Sequence, residues 1–477
     1  MVPKPHELEK TRLVQNYSFP RSYRGDHTSI IISQQLARQQ GYDRYNGTVF
    51  RIPSIAQWKF VASGPALLKD MCYSPDDVLS FEEAMRDLLQ ADLTLGPRDV
   101  PDHGVATLTK LTRNLGRQFP DIRDELVCAF DDTLGLEETD LKPIAALPAV
   151  TDIVARNSGR LFVGLPLCRD PEYLKFSIKH TFDVSLAGRL IGYLPKYLRP
   201  ILGPLISSRK RNTRQAMRLL GPIVTERIAL FERHGGDWPD KTQRPGFVAP
   251  RFGTTAPENR ARCCPAHTYH DHVRDPHLVI PAYPSYIEPL REEVERVISK
   301  QGWTKAALGD MTKIDGFLRE SQRINGFGSL NIVRKIIHPD GFTFSDGSFL
   351  PTGSVVQVPI RAVHLDPDNF VDPHVFDGFR FHNMRSASAP EGEKASFKQY
   401  MGGGCIFLLK VIFPQYERPH GANRFFAATE LKAMLAHIVL NYDIKLDTEG
   451  VRPPDQLFDD LRVPDPKAQV WFRKREV

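Results

Sequence analysis

The chain has 477 residues, with 63 Lys and Arg against 57 Asp and Glu and a formal net charge of +6. This length suits several domains or one large enzyme whose core encloses a cofactor. The basic excess is small and scattered along the chain, so we expect no nucleic-acid partner.

The first part of the chain, residues 1–40, is polar and reads as irregular. Neither this part nor any later stretch reaches the run of about 18 apolar residues that a membrane-spanning helix needs. We therefore expect any membrane contact to be peripheral. Asn16 and Asn46 match the glycosylation sequon, and the sequence leaves their modification open.

Strand and helix patterns begin after this segment. Residues 47–52 alternate between polar and apolar types, which predicts a strand that ends at Pro53. Helical patterns dominate from about 65 to 235. Ser80, which is followed by two nearby glutamates, predicts a capped helix start, and 111–132 predicts one or two amphipathic helices.

An apolar stretch at 186–205 carries Arg189, Lys196 and Arg199 and leads into the basic cluster 209–211. One interpretation is a segment that rests on an anionic membrane surface. The other is a solvated helix face beside a core helix, because charge runs in proteins are usually solvated. The sequence leaves both open.

Residues 240–283 break the helical trend, because they are rich in Pro, Arg and Thr and show no periodicity. Structureless segments of this length are rare inside compact domains. Within this segment, Cys264, His267, His270 and His272 resemble a metal-binding cluster, although their spacing departs from the common zinc motifs. Helical periodicity returns directly after it.

Three motifs follow one another in the C-terminal half. Glu320 and Arg323 lie three residues apart, which places both side chains on one helix face. Alone, such a pair is usually a solvated surface contact. The pair is followed by a strand-rich region with Asp-Gly turns at 340–341 and 346–347, by His-Leu-Asp-Pro at 364–367, and by Phe-Asp-Gly-Phe-Arg-Phe at 376–381.

In this order and spacing the motifs resemble those of fungal microsomal cytochromes P-450, which are heme-thiolate monooxygenases. The segments 111–132 and 158–174 resemble fungal members of the same family. The resemblance implies the cytochrome P-450 fold, mainly α-helical with a small mixed β-sheet. The strands would come from 47–60 and 330–360, and residues 41–477 would form one catalytic domain.

The resemblance also implies that Glu320, Arg323 and Arg380 form a buried ionic triad. Such a triad would be a structural lock for the heme-binding side of the protein, without a chemical role. Removing one member would leave a buried charge unpaired, at a cost of roughly 3–5 kcal/mol.

The heme ligand is the point at which the chain departs from the family pattern. In the family a glycine-rich turn presents a cysteine thiolate at the start of a long helix, and here that helix begins near Arg424. Cys405, which follows three glycines, is the nearby cysteine and the expected axial ligand of the heme iron. Residues 406–423 would then be an insertion. The alternative is that Cys405 is an ordinary buried thiol and that the chain has no heme ligand.

Under the same resemblance, arginines are the expected contacts of the heme propionates: Arg113, Arg117, Arg334 and Arg424. The sequence does not choose between the first two. The oxygen-activating helix of the family should lie just before residue 284, but 240–283 shows no such pattern. We interpret that segment as a shifted or scrambled remnant of the helix and assign no catalytic residue.

The resemblance implies an oxidoreductase that inserts one oxygen atom of O2 into a small apolar substrate, in secondary metabolism or detoxification. Electrons would come from an NADPH-dependent reductase, and the protein would lie at the surface of the endoplasmic reticulum membrane. The altered segments leave two alternatives open: a catalytically impaired or heme-free relative, and the product of a faulty gene model.

Overall fold

The structure, a computed structural model, describes residues 12–13, 38–53, 58–96, 103–136, 141–234, 279–326, 328–385, 422–458 and 461–476. Several features predicted from sequence lie outside these residues: the sequon at Asn16, most of 240–283 with its cluster from Cys264 to His272, Cys405, and the predicted insertion up to residue 421.

Helices make up most of the described chain. The α-helices are 38–45, Pro65–Tyr73, Phe81–Leu89, Ala91–Thr94, His103–Leu134, Ala146–Phe162, Pro171–Tyr193, Arg199–Ile206, Arg209–His234, Ile287–Gln301, Lys305–Asp310, Thr312–Ile324, Ile360–His364, Arg380–Arg385 and Ala422–Asn441. Short 3₁₀-helices lie at Leu167–Arg169, Ile280–Ala282 and Pro284–Tyr286.

The largest sheet has six strands and is mixed. Its order across the sheet is Arg12–Leu13, Val49–Pro53, Trp58–Ala62, Val355–Val358, Asn331–Ile336 and Leu79–Ser80. Strand Arg12–Leu13 pairs in parallel with Val49–Pro53. Strand Trp58–Ala62 pairs in parallel with Val355–Val358, where Phe60 lies opposite Val356. The other neighbouring strands are antiparallel. The predicted fold class, mainly helical with a small mixed sheet, is confirmed.

The remaining strands form smaller antiparallel sheets. A three-stranded sheet has the order Tyr442–Leu446, Gln469–Lys474 and Lys142–Ala145. Two two-stranded sheets pair Phe342–Thr343 with Phe349–Leu350 and Gln456–Phe458 with Leu461–Val463.

The chain divides into two compact units. The first unit comprises Met1–Asp87, Gly316–Arg424 and Asp455–Val463, and the second comprises Leu88–Asp315, Phe425–Pro454 and Pro464–Val477. The expectation that 41–477 acts as one catalytic domain stays a prediction, because this division reports packing alone.

The core of the first unit lies against the six-stranded sheet. Apolar residues of strands and helices form one buried cluster there, which includes Leu67, Met71, Ile332, Val356 and Phe381. Burying side chains of this size contributes about 1.5–3 kcal/mol each, before the entropy of ordering them is subtracted.

The core of the second unit lies among three helices. Helix His103–Leu134 buries Phe119, Leu126 and Phe130 at the spacing of one helix face. Phe130 meets the ring of His437 edge to face, with 4.8 Å between centroids. Phe162 and Phe426 are 6.4 Å apart in the same arrangement. These ring contacts join helices that are distant in sequence.

Local sequence signals explain where several elements begin and turn. The Ser80 hydroxyl accepts a hydrogen bond from the Glu83 amide at 3.1 Å, which caps helix Phe81–Leu89 as predicted. Gly341 and Gly347 adopt positive φ angles of 78° and 81°, so each Asp-Gly turn uses the glycine that its backbone requires.

Some elements differ in extent from the sequence prediction. Residues 103–134 form one helix that keeps Pro120 inside it. Within the segment predicted to be irregular, Arg12–Leu13 pairs in parallel with the strand that starts at Val49, since main-chain hydrogen bonds need no side-chain pattern. In the part of the chain that the structure describes, no helix is long and apolar enough to cross a membrane.

Candidate functional site

The pair Glu320 and Arg323 is fully buried in helix Thr312–Ile324, in the first unit. Both side chains are 0% exposed. Arg323 donates from Nε to Glu320 Oε2 at 2.8 Å and from Nη2 to Oε1 at 2.7 Å. This two-point geometry matches a guanidinium to a carboxylate and is stronger than a single contact. The pair is therefore not the solvated contact that its spacing alone would suggest.

Arg380 joins the same carboxylate. Its Nε donates to Glu320 Oε1 at 3.3 Å, and its side chain is 12% exposed. The backbone amide of Asp377 donates to the same oxygen at 3.0 Å. The structure thus brings Glu320, Arg323 and Arg380 together, with the single carboxylate between two guanidinium groups.

The two arginines also bind the backbone between them. Arg323 Nη1 donates to the carbonyl oxygens of His364 at 2.7 Å and Pro373 at 2.6 Å. Arg380 Nη1 donates to Val371 at 2.6 Å. The segment 364–375 therefore depends on side-chain donors for its shape, because it has little regular secondary structure of its own.

The His-Leu-Asp-Pro motif enters this arrangement through its backbone and its carboxylate. His364 is buried and contributes its carbonyl oxygen. Asp366 accepts a hydrogen bond from the Tyr42 hydroxyl at 2.6 Å. Burial, together with this bond, raises the pKa of Tyr42. The motif thereby links the segment to residues from the beginning of the chain.

A further pair of arginines, which the sequence did not reveal, caps the C-terminal end of helix Thr312–Ile324. Arg361 Nη1 and Arg462 Nη1 donate to the Ile324 carbonyl oxygen at 3.2 and 3.4 Å. Cations at this end of a helix compensate the helix dipole. Burial, with Arg462 close by, lowers the pKa of Arg361 to about 10. Arg462 is 138 residues from Ile324, so no local pattern predicts the contact.

The segment 158–174 has a separate role in the second unit. Glu125, which is fully buried in helix His103–Leu134, accepts from Arg156 Nε at 2.9 Å and Arg169 Nε at 2.8 Å. Arg160 pairs with Asp121 at 2.9 Å. Arg160 and Arg169 of this segment, with Arg156 just before it, thus bind acidic residues along one helix. Burial raises the pKa of the nearby Cys168 thiol to about 12, and Glu125 adds to this shift.

The structure describes the side chains of two of the residues expected to contact the cofactor, Arg334 and Arg117. Arg334 is 3% exposed, donates to the Val333 carbonyl at 2.9 Å and lies 5.7 Å from the centre of the Phe81 ring. Arg117 is exposed on its helix. The side chains of Arg113 and Arg424, and all of Cys405, lie outside the described residues.

These residues allow a test of whether the chain suits a heme. A buried guanidinium such as Arg334 favours an anionic group beside it, because electrostatic attraction is stronger away from water. A heme propionate is such a group, so Arg334 fits. In the described ranges no group of three or more His, Cys, Asp or Glu side chains is placed to hold a free metal ion.

Comparison with known proteins places this geometry in a family. A model of the family Cytochrome P-450 matches residues 278–398. Cytochrome P-450 monooxygenase 151 of Postia placenta is 35% identical over 470 residues, covering 92% of this chain and 88% of the relative. Cytochrome P-450 monooxygenase AN1598 of Emericella nidulans is 31% identical over 462 residues, covering 92% and 83%.

The fold matches as well. The structure of the retinoic acid-bound cyanobacterial CYP120A1 aligns with a TM-score of 0.61 at 17% identity, covering 92% of this chain and 94% of the other. The chain belongs to the cytochrome P-450 family. Its relatives are named monooxygenases, and heme iron is the cofactor of this family and fold. The predicted family, fold and cofactor are therefore confirmed.

Proposed function

We propose that this chain is a heme-thiolate monooxygenase that oxidises a small apolar organic substrate with O2 and electrons from an NADPH-dependent reductase. The observation that carries the proposal is the buried triad of Glu320, Arg323 and Arg380 in a member of this family. The triad needs every member in place, because losing one partner strands a buried charge.

The proposed ligand of the heme iron is Cys405, with residues 406–423 as an insertion whose last two residues lie in helix Ala422–Asn441. When bound, the heme supplies the chemistry that activates O2. A thiolate near a helix N-terminus is stabilised as an anion by the helix dipole. Arg334 and Arg424, with Arg113 or Arg117, are the proposed propionate contacts. Secondary metabolism or detoxification is the proposed context.

The triad has a supporting role in this proposal. It holds segment 364–375 by carbonyl contacts from Arg323 and Arg380, on the part of the chain that leads to Cys405. All the contacts described for the triad are with the protein itself, so the proposal gives it a positioning role. The proposal predicts that triad variants lose stability and heme together.

We further propose that the protein contacts the endoplasmic reticulum membrane through the face around 182–205. Large apolar side chains are exposed there in two helices and their connection: Phe182, Leu186, Leu190, Tyr197, Ile201 and Leu205. Lys196 and Lys210 are exposed nearby. Exposed apolar side chains beside basic ones suit an anionic lipid surface, whereas a merely solvated helix face would be polar.

The ligand assignment is tested by heme content and by the electron paramagnetic resonance spectrum of the ferric protein. Cys405→Ser is compared with Cys128→Ser, whose free thiol lies in helix His103–Leu134. The proposal predicts a low-spin thiolate signal in wild type and Cys128→Ser, and its loss in Cys405→Ser. Equal spectra for all three would reject Cys405 as ligand. Purified protein that binds no heme would favour the heme-free relative.

A further inference from the structure

Among the described residues, three glutamates have no exposed surface, Glu125, Glu320 and Glu430, and they differ in their partners. Glu125 and Glu320 are each bound by two arginines. Glu430, in helix Ala422–Asn441, instead faces the amide of Asn157 in helix Ala146–Phe162. All atoms of this last contact belong to the second unit.

One hydrogen bond joins Glu430 and Asn157 directly. Asn157 Nδ2 donates to Glu430 Oε1 at 2.7 Å, and both residues are 0% exposed. The other two oxygens, Glu430 Oε2 and Asn157 Oδ1, are buried and have no hydrogen-bond partner among the described residues. Leaving buried polar atoms unpaired is destabilising, because each has lost its hydrogen bonds to water without replacement.

The chemistry of the two unpaired atoms limits how they can be satisfied. An amide oxygen only accepts, and an ionised carboxylate oxygen also only accepts. With Glu430 ionised, neither oxygen can bind the other. With a proton on Oε2, that oxygen becomes a donor and Asn157 Oδ1 is the acceptor. Carboxyl and amide groups are planar forks of similar width, so a coplanar pair can form two parallel hydrogen bonds.

The electrostatic surroundings also favour the protonated form of Glu430. Burial raises the pKa of Glu430 to about 8, and only the Asn157 amide opposes this shift. No charged side chain of the described residues acts on it. The hydroxyl of Ser158, next to Asn157, is buried and binds neither group. The contact of Phe162 with Phe426 joins the same two helices and adds apolar surface.

We propose that Glu430 is a neutral carboxylic acid at pH 7 that donates from Oε2 to Asn157 Oδ1 while it accepts from Nδ2. The resulting ring of two hydrogen bonds fixes helix Ala422–Asn441 to helix Ala146–Phe162. Glu430 is then a positioning residue. It acts on the helix that follows the Cys405 segment. The link to a heme ligand in that segment rests on the proposed function, whereas the acid–amide pair does not.

The experiment is an infrared titration of the purified protein, with Glu430→Gln and Glu292→Gln for comparison. Glu292 is exposed, so its variant controls for general effects of the substitution. We expect a protonated-carboxyl C=O band at pH 7 that disappears near pH 8 and that is missing only in Glu430→Gln. Wild-type protein without such a band at pH 7 would overturn the proposal, whether or not the variants fold.

Stability supplies the second readout. The folded pKa of about 8 exceeds the ordinary glutamate pKa of 4.5, so the folded state holds the proton more tightly between these pH values. Stability from this proton is complete below pH 4.5 and is lost as pH rises through 8. Relative to Glu430→Gln, whose amide also donates to Asn157, the wild-type unfolding equilibrium constant should rise about tenfold per pH unit in this interval.

If the ratio of the wild-type unfolding equilibrium constant to that of Glu430→Gln did not change with pH, the proposal would be contradicted. Asn157→Leu should keep the infrared band but destabilise the protein at pH 7, because Glu430 then loses both bonds. Cys405→Ser should leave the band and its titration unchanged. A failure of the heme assignment is thereby distinguished from a failure of the acid–amide pair.

Discussion

Arg323 and Arg380 both donate to the carbonyl oxygen of Val375, at 3.3 and 3.2 Å. Two cations share this acceptor because Glu320 lies against both and compensates their charge. The carboxylate thus allows two guanidinium groups to hold one irregular segment. A protein without that carboxylate would have to separate the arginines or leave them unpaired.

Glu320→Gln tests the triad. The variant keeps the shape of the side chain but removes the negative charge, so two largely buried arginines lose their anion. We expect a loss of about 3–5 kcal/mol in the free energy of unfolding, measured by urea denaturation. Glu83→Gln is the control, since its contact with Arg86 is partly exposed and 4.0 Å long. A loss below about 1 kcal/mol, as expected for that control, would show that the triad is not a lock.

Gly341→Ala should destabilise the protein more than Gly347→Ala. Both glycines have positive φ, so each substitution costs about 1–2 kcal/mol of backbone strain. A Cβ at Gly341 would also lie 2.6 Å from the Phe349 ring and 2.7 Å from the Leu350 carbonyl, whereas a Cβ at Gly347 meets open space. We therefore expect Gly341→Ala to lose about 1 kcal/mol or more of unfolding free energy beyond the loss in Gly347→Ala, measured by thermal unfolding. Equal melting temperatures would contradict the described turn.

His437 should make the protein sensitive to acid. Burial, with Arg123 and Lys474 adding to it, lowers the pKa of His437 from 6.5 to about 3. The folded state therefore keeps a neutral imidazole while the unfolded chain binds a proton, so stability falls as pH decreases from 6.5 towards 3. Between pH 7 and pH 5 we expect wild type to lose about 2 kcal/mol more than His437→Phe. Parallel curves for the two proteins would reject this cause.

The proposed membrane face can be tested by co-sedimentation with vesicles. The triple change Tyr197→Ser, Ile201→Ser and Leu205→Ser removes three exposed apolar groups. It should therefore weaken binding to vesicles that contain anionic lipid by about tenfold or more. The double change Val371→Ser and Val375→Ser removes apolar groups that are also well exposed, in the other unit, and should have no effect. Equal binding of both variants would favour a solvated helix face.

The sequence predicted the parts of the molecule that local chemistry determines. Ser80 as a cap and the two Asp-Gly turns depend on residues within a few positions of each other, and each is present. The spacing of Glu320 and Arg323 predicts a shared helix face. Their burial, however, came from the resemblance, because spacing alone favours an exposed pair.

Contacts between distant residues could not be predicted in this way. Asn157 and Glu430 are 273 residues apart, and Arg462 reaches Ile324 across 138 residues. Neither pair has a periodic pattern, since each depends on how helices and strands pack. Glu125 and its partner Arg156 are also charged residues inside a core, where composition predicts apolar ones. Tertiary packing decides these cases.

The most direct test of the central claim, a thiolate-bound heme, is the absorption spectrum of the reduced protein with carbon monoxide. The account predicts the red-shifted Soret band that a cysteine thiolate opposite carbon monoxide produces, with stoichiometric heme. A Soret band at the position typical of histidine-ligated heme, or no heme band at all, would contradict it.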